Sequence, residues 1–228
     1  MLFFVHHSCM LSGNLILMKK IMIPLFVAAF LAVSCSKTET QTHENTAEHH
    51  EQSETKNEMV ALMDEMMDEM HSGKPTGNND ADFAKMMIEH HKGAVEMSEL
   101  LVEKGQSEEL KIFARKLIAA QNTEIDLMKK FEDQTDISAD SKTFQQELNQ
   151  SMAAMMNKNI KIHNDIDKDF AEQMIHHHQS AVDMAKVYLK YGKENDLLKL
   201  CSDIIKTQTS EIKELKDWLD STEGANMK

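Results

Sequence analysis

The stretch DFAKMMIEHHKGAVEM at Asp82–Met97 recurs as DFAEQMIHHHQSAVDM at Asp169–Met184. The two copies are offset by 87 residues (169 minus 82), and the offset persists without a gap to Glu124 and Glu211. Apolar residues recur at helical spacing in both copies and in the segment that follows each of them. This pattern predicts two related helical hairpins. Two such hairpins packed together form a four-helix bundle.

The composition favours an all-α protein with long helices. Glycine (7 residues) and proline (2) are scarce in the 228-residue chain, and aromatic residues make up only 5%. Turns and β-sheets normally need more of these residue types. The formal net charge of −13 disfavours a nucleic-acid partner, which selects a basic surface. Methionine is unusually abundant, with 19 residues.

Six segments follow from the periodicity and from the breaks between periodic runs. They are an export segment (1–35), a disordered tether (36–57), a Met-rich helix and loop (58–80), the first hairpin (81–132), a linker with a Met-bearing helix (133–167) and the second hairpin (168–222). The predicted hairpin helices span about 81–104, 107–132, 168–191 and 194–221, and the Met-bearing helix spans 141–163.

Polar residues and glycines mark the predicted helix ends. N-caps are expected at Asp80, Ser107, Asp140 and Asp167. Gly105 and Gly192 stand where a helix C-cap often needs a positive φ angle.

The segment MKKIMIPLFVAAFLAVSC at Met18–Cys35 has the features of a lipoprotein export signal. Two lysines precede an apolar run, and small residues precede the cysteine. We therefore expect translation to start at Met18, cleavage before Cys35, and a lipid anchor on Cys35 that holds the protein at the membrane of the cell envelope, facing the periplasm or the surface. An uncleaved membrane anchor is the alternative, although the apolar run is shorter than the roughly 20 residues of a membrane span.

Two further features leave alternatives open. The tether contains His43, His49 and His50 among acidic residues, which suits either a solvated linker or a weak metal-collecting tail. Five methionines lie on one face of the predicted helix 58–71, which suits either core packing or metal binding: Met59, Met63, Met66, Met67 and Met70. Cys201 occupies a small apolar position of its helix and is interpreted as a core residue.

The repeated stretch places histidines on the buried face of its helix. At about 100° per residue, one face roughly 120° wide collects the same residue types in both copies. Its candidate metal ligands are Met87, His90, His91 and Met97 in the first copy and Met174, His177, His178 and Met184 in the second. His176 aligns with Glu89 and is expected to point outward.

Buried imidazoles and thioethers together indicate a soft metal. A neutral imidazole is costly to bury without a partner. Methionine sulfur is a soft ligand that suits Cu(I), and Ag(I) should behave similarly. A di-iron oxidase is disfavoured, because Met87 and Met174 stand where the Glu-x-x-His motif needs glutamate. Alternatively, the histidines only tie helices together, with Glu124, Glu211, Gln121 and Gln208 as partners.

The duplicated HH-x-x-A-x-x-M motif, followed by Q-x-x-E-I on the next helix, resembles the DUF305 family. The resemblance covers about 81–219 and implies a ferritin-like bundle in an exported copper-binding protein. It implies a periplasmic or surface role in copper tolerance. We expect a non-enzymatic protein that binds metal ions, with a metal-transfer protein and a second copy of the chain as candidate partners. Gln121, Glu124, Gln208 and Glu211 match the second motif, in a structural or ligand-orienting role. Leu215 stands where the first copy has Met128, so the halves are unequal.

Overall fold

The computed structural model describes residues 57–225, with side chains to residue 223. Within this part of the chain there are six α-helices and one short 3-10 helix, and no strand. The helices are α1 (Glu58–Ser72), α2 (Asn79–Lys104), α3 (Glu108–Met128), α4 (Ser141–Gln150), the 3-10 helix (Ser151–Ala154), α5 (Ile166–Tyr191) and α6 (Asn195–Ala225). The predicted export segment with Cys35 and all of the tether except Asn57 lie outside the described residues.

The all-α bundle of two hairpins predicted from the repeat is confirmed. Helices α2 and α3 form the first hairpin, and α5 and α6 form the second. Helix α2 packs against α5, and α1 and α4 each contact both of them. The two repeated stretches therefore lie in the most enclosed helices. No helix in 57–225 is long and apolar enough to cross a membrane.

The predicted helix 141–163 is shorter than expected. Helix α4 ends at Gln150 and gives way to the 3-10 helix and an irregular segment. The Asn157 side chain accepts the backbone N–H of Asn159, and Asn164 takes a φ of 53°. Asparagine side chains that bond to nearby backbone compete with the helix, and sequence periodicity does not register this competition.

Asp80 and Asp167 are not the N-caps that we predicted. Asn78 caps α2 and Asp165 caps α5, each through a side-chain oxygen. The predicted N-cap of α3 is confirmed, because Ser107 accepts from Leu110. Asp140 lies at the N-terminus of α4 but makes no side-chain cap bond.

Asp80 and Asp167 instead tie each hairpin to the turn of the other. Asp80 in α2 accepts the backbone N–H of Lys193 and the phenol of Tyr188, both in the second hairpin. Asp167 in α5 accepts backbone N–H groups of the α2–α3 turn. A carboxylate near a helix N-terminus can thus accept hydrogen bonds from the backbone of a distant turn. The local sequence does not predict such long-range partners.

The prediction of a positive φ at Gly105 and Gly192 was wrong. Their φ angles are −65° and −73°. Both glycines are needed for close approach instead. A Cβ atom on Gly105 would lie 2.5 Å from Oδ1 of Asp167, and one on Gly192 would lie 2.2 Å from Cζ of Tyr188.

Candidate metal centre

The four histidines of the repeated pairs meet in the centre of the bundle. His90, His91, His177 and His178 are all 0% exposed. The rings of His90 and His177 meet across the α2–α5 contact, with 3.7 Å between centroids and their planes tilted by 39°. The centroids of neighbouring rings within a helix are 6.1 Å apart in α2 and 5.9 Å apart in α5. The fold therefore brings two distant sequence motifs into one cluster.

The hydrogen bonds of the central pair fix which ring nitrogen carries the proton. Ser180 donates its hydroxyl to the carbonyl of His177 (2.8 Å), so His90 Nε2 must donate to the Ser180 oxygen (2.7 Å). His177 Nε2 lies 2.9 Å from the carbonyl oxygen of His90, which can only accept. Both imidazoles therefore hold their proton on Nε2 and carry a lone pair on Nδ1.

The outer histidine of each pair faces a carboxylate on the next helix. His91 Nε2 donates to Oε2 of Glu124 at 2.7 Å. His178 Nε2 lies 3.0 Å from Oε2 of Glu211, but this nitrogen makes no aligned hydrogen bond. The two halves of the cluster thus differ at this contact: the first is a closed pair and the second is not.

The Nδ1 atoms of all four histidines are buried and have no hydrogen-bond partner. An unsatisfied buried polar group costs about 1–3 kcal/mol, so this cluster is expensive as it stands. A cation bound by these lone pairs would remove that cost. Four buried acceptor atoms without partners are therefore the main feature that fits a role in metal binding.

The four methionines predicted as ligands are also buried. Met87, Met97, Met174 and Met184 are all 0% exposed. Each lies one or two helical turns from a histidine on the same buried face. Among the described residues, no three His, Cys, Asp or Glu side chains converge on one point as metal ligands. A metal held here would therefore depend on thioether sulfur together with imidazole.

Burial keeps the central imidazoles neutral. The pKa of His90 is well below its usual value because burial removes the ring from water, and the positive charge that His177 and the other histidines would carry lowers it further. Burial likewise lowers the pKa of His177, and His178 adds to the effect. Neutral imidazole is the form that binds metals.

The other predicted residues of the centre are placed less uniformly. Gln121 and Gln208 are buried. Neither the amide nitrogen nor the amide oxygen of Gln121 has a hydrogen-bond partner within 57–225. His176 lies apart from the cluster, half-buried, with Nε2 3.6 Å from Glu172. Cys201 is buried and free, and burial raises the pKa of its thiol, which agrees with a core residue.

Ser180 and its counterpart Gly93 contact the histidine cluster and helix α1, respectively, and neither contact was predicted. Ser180 holds His90, whereas its counterpart in the first copy is Gly93. A Cβ atom on Gly93 would lie 2.4 Å from the sulfur of Met66, so α1 rests directly on this glycine. The Gly–Ser difference between aligned positions was the available signal. Four methionines of α1 are buried in this way: Met59, Met63, Met66 and Met70. Met67 is half-buried.

Comparison with family models identifies the family of this chain. The model of the family described as "Domain of unknown function (DUF305)" matches residues 32–132 and 80–219. The chain belongs to the DUF305 family. The second match covers both hairpins of this DUF305 protein, and the first includes α1. No curated protein matches the chain.

Several solved structures of CopM are similar to this DUF305 protein. CopM in the Ag-bound form (by soaking) is 32% identical, with 62% of this chain and 95% of that chain covered and a TM-score of 0.48. CopM in the apo form is 31% identical over 62% and 96%, with a TM-score of 0.49. CopM in the Cu(I)-bound form is 32% identical over 62% and 96%, with a TM-score of 0.47.

Proposed function

We propose that this protein binds Cu(I), and also Ag(I), between the two hairpins of its bundle. The observation that carries the proposal is the set of four buried Nδ1 atoms without partners, at His90, His91, His177 and His178. Three of these imidazoles already hold their proton on the opposite nitrogen, in bonds to a serine, a carbonyl and a carboxylate. The lone pairs are therefore available without a change of tautomer.

The chemistry of the surrounding side chains favours a soft, singly charged ion. Imidazole and thioether are neutral ligands, and thioether needs no deprotonation to bind. Met87, Met97, Met174 and Met184 are buried in the same helices as the imidazoles and can supply thioether sulfur. Harder ions such as Mg²⁺ and Ca²⁺ prefer oxygen ligands, and their sites are built mainly from carboxylates and carbonyls. Glu124 orients His91 as the carboxylates behind metal-bound histidines commonly do.

The proposed cellular role is to sequester copper or to hand it on, in copper tolerance or homeostasis. The export signal supports a location in the cell envelope, with Cys35 as the lipidated anchor. CopM, the similar protein above, has been solved with Ag, with Cu(I) and with Cu(II). These ions are therefore the first to test. Transfer to or from another protein would suit a centre that is buried yet built from neutral ligands.

A structural module is the second candidate function. The same histidines join separate helices, since His90 bonds to Ser180 in α5 and His91 bonds to Glu124 in α3. On this view the imidazoles hold the bundle together and bind nothing. The unpaired Nδ1 atoms argue against it, because a purely structural core has no use for them.

Metal titration of the protein under reducing conditions distinguishes these two functions. Cu(I), Ag(I), Zn(II) and Fe(II) are compared by competition with a chromophoric chelator, in the wild type and in a variant with all four core histidines changed to alanine. We expect tight Cu(I) and Ag(I) binding that the variant loses. His176→Ala is the matched control, because His176 is next to the pair in α5 but outside the cluster. Unchanged Cu(I) binding by the fourfold variant would refute the core site.

A further inference from the structure

The surface groove between α3 and α6 is lined in part by a glutamate that contacts one of the buried histidines. It has a volume of about 260 Å³ and is lined by Glu109, Ile112, Phe113, Lys116, Glu211 and Glu214. Glu211 belongs to both environments, since its side chain is 21% exposed and its Oε2 lies 3.0 Å from Nε2 of His178. The Glu211 carboxylate therefore faces both the groove and the buried His178.

His178 is the least constrained imidazole of the cluster. Both of its ring nitrogens are buried and lack an aligned hydrogen-bond partner, whereas each of the other three histidines has a partner at Nε2. An unpaired nitrogen beside a carboxylate can accept a cation without first giving up a hydrogen bond. The equivalent pair in the other hairpin, His91 and Glu124, is closed by a bond of 2.7 Å.

The charges of the groove favour cations. Three carboxylates and one ammonium group line it, and Glu109 and Glu214 also line the adjoining depression, where Lys213 is paired with Asp217. A groove lined mainly by one sign of charge raises the local concentration of the opposite ion and its association rate.

We propose that Glu211 and His178 form the uptake site through which a soft monovalent cation passes from the α3–α6 groove into the core. Glu211 attracts the ion, and Nε2 of His178 receives it, with the proton of that ring on Nδ1, before the Nδ1 atoms of His90, His91 and His177 do. The uptake site rests on the proposed function, since it needs a core that binds Cu(I) or Ag(I). The two hairpins would then differ in function: the second would admit the ion at His178 and Glu211, whereas the hydrogen-bonded His91–Glu124 pair of the first would not.

The rate of Ag(I) uptake by the full chain tests this asymmetry. Stopped-flow ultraviolet absorbance follows the reaction, and chelator competition gives the equilibrium affinity. We expect Glu211→Gln to slow uptake roughly three- to tenfold, and Glu124→Gln, its counterpart in the repeat, to change it by less. Because Glu211→Gln also touches His178, a second variant that leaves the uptake site intact is needed.

The Glu109→Gln/Glu214→Gln double variant removes charge from the groove without touching a histidine. We expect slower uptake at low ionic strength and the wild-type rate near 1 M salt, where screening acts over about 3 Å. Glu99→Gln/Glu103→Gln removes the same charge from exposed positions of α2 outside the groove and should leave the rate unchanged.

The outcomes for the uptake site and for the core site are distinct. If the wild type binds Ag(I) tightly but the groove variant matches its rate, and Glu211→Gln is no slower than Glu124→Gln, the uptake site is refuted and the core site stands. If the wild type binds no Ag(I) at equilibrium, both proposals fail.

Discussion

Replacing His177 by leucine should separate the effect of the histidine cluster on metal-free stability from its role in binding metal. The variant loses the bond from Nε2 to the carbonyl of His90, worth about 0.5–1.5 kcal/mol, and removes an unpaired Nδ1 that costs about 1–3 kcal/mol. The contact with the His90 ring at 3.7 Å is exchanged for aliphatic packing of similar volume. Without metal, we expect the free energy of unfolding to change by between about −0.5 and about +2.5 kcal/mol.

Metal should reverse this order of stability. A ligand at 100 times its dissociation constant stabilises the folded state by about 2.7 kcal/mol, which raises Tm by roughly 5–11 °C in a domain of this size. The wild type should gain this increment with Ag(I), and His177→Leu should gain much less. Urea and thermal unfolding with and without Ag(I) measure both quantities.

His176→Leu is the control for this experiment. It lies in the same helix, one residue away, but its ring is outside the cluster. It should keep the full stabilisation by Ag(I). The reasoning would be refuted if His177→Leu lost more than about 2 kcal/mol without metal and still gained the full increment with it, because the imidazole would then be a structural residue.

Three further predictions concern pH, packing and the contact between hairpins. The pKa values of His90 and His177 are lowered in the folded state, so the unfolded chain takes up more protons than the folded chain below pH ~6.5. The free energy of unfolding without metal should therefore fall as the pH decreases, by up to about 1.4 kcal/mol per pH unit for each histidine. Urea titrations at several pH values measure this. Gly93→Ala should destabilise the protein by up to about 2 kcal/mol in thermal unfolding, because overpacking against α1 costs about 1–3 kcal/mol and the gain in helix propensity is about 1 kcal/mol. Gly73→Ala is the control and should be neutral, because no atom lies within 4 Å of its added Cβ. Asp80→Ala leaves a phenol and a backbone N–H without their acceptor and should cost about 2–5 kcal/mol, with faster hydrogen exchange at the α5–α6 turn.

The repeat made the fold predictable, because both copies carry the same apolar periodicity over whole hairpins. The inward direction of His177 and His178, and the separate position of His176, followed from the same periodicity. The end of α4 at Gln150 did not follow, because the periodic pattern continues beyond it into a 3-10 helix and an irregular segment.

The partners of the buried nitrogens could not be predicted from periodicity. The pairing of His91 with Glu124 was one of two open alternatives. The bond from His90 to Ser180 joins residues 90 positions apart and exists only in the packed bundle. Which nitrogen of a ring is protonated depends on such partners, so the central chemical feature of the site required three-dimensional contacts.

Imidazole ¹⁵N NMR of the full chain tests the central claim most directly. Long-range ¹H–¹⁵N spectra identify the protonated nitrogen of each ring, and a titration with Ag(I) identifies the nitrogen that binds. The structure predicts that His90, His91 and His177 carry their proton on Nε2, and that Ag(I) shifts the Nδ1 resonances of the cluster. Protons on Nδ1 of His90, His91 or His177 in the metal-free protein, or core resonances that Ag(I) leaves unmoved, would contradict the proposed metal centre.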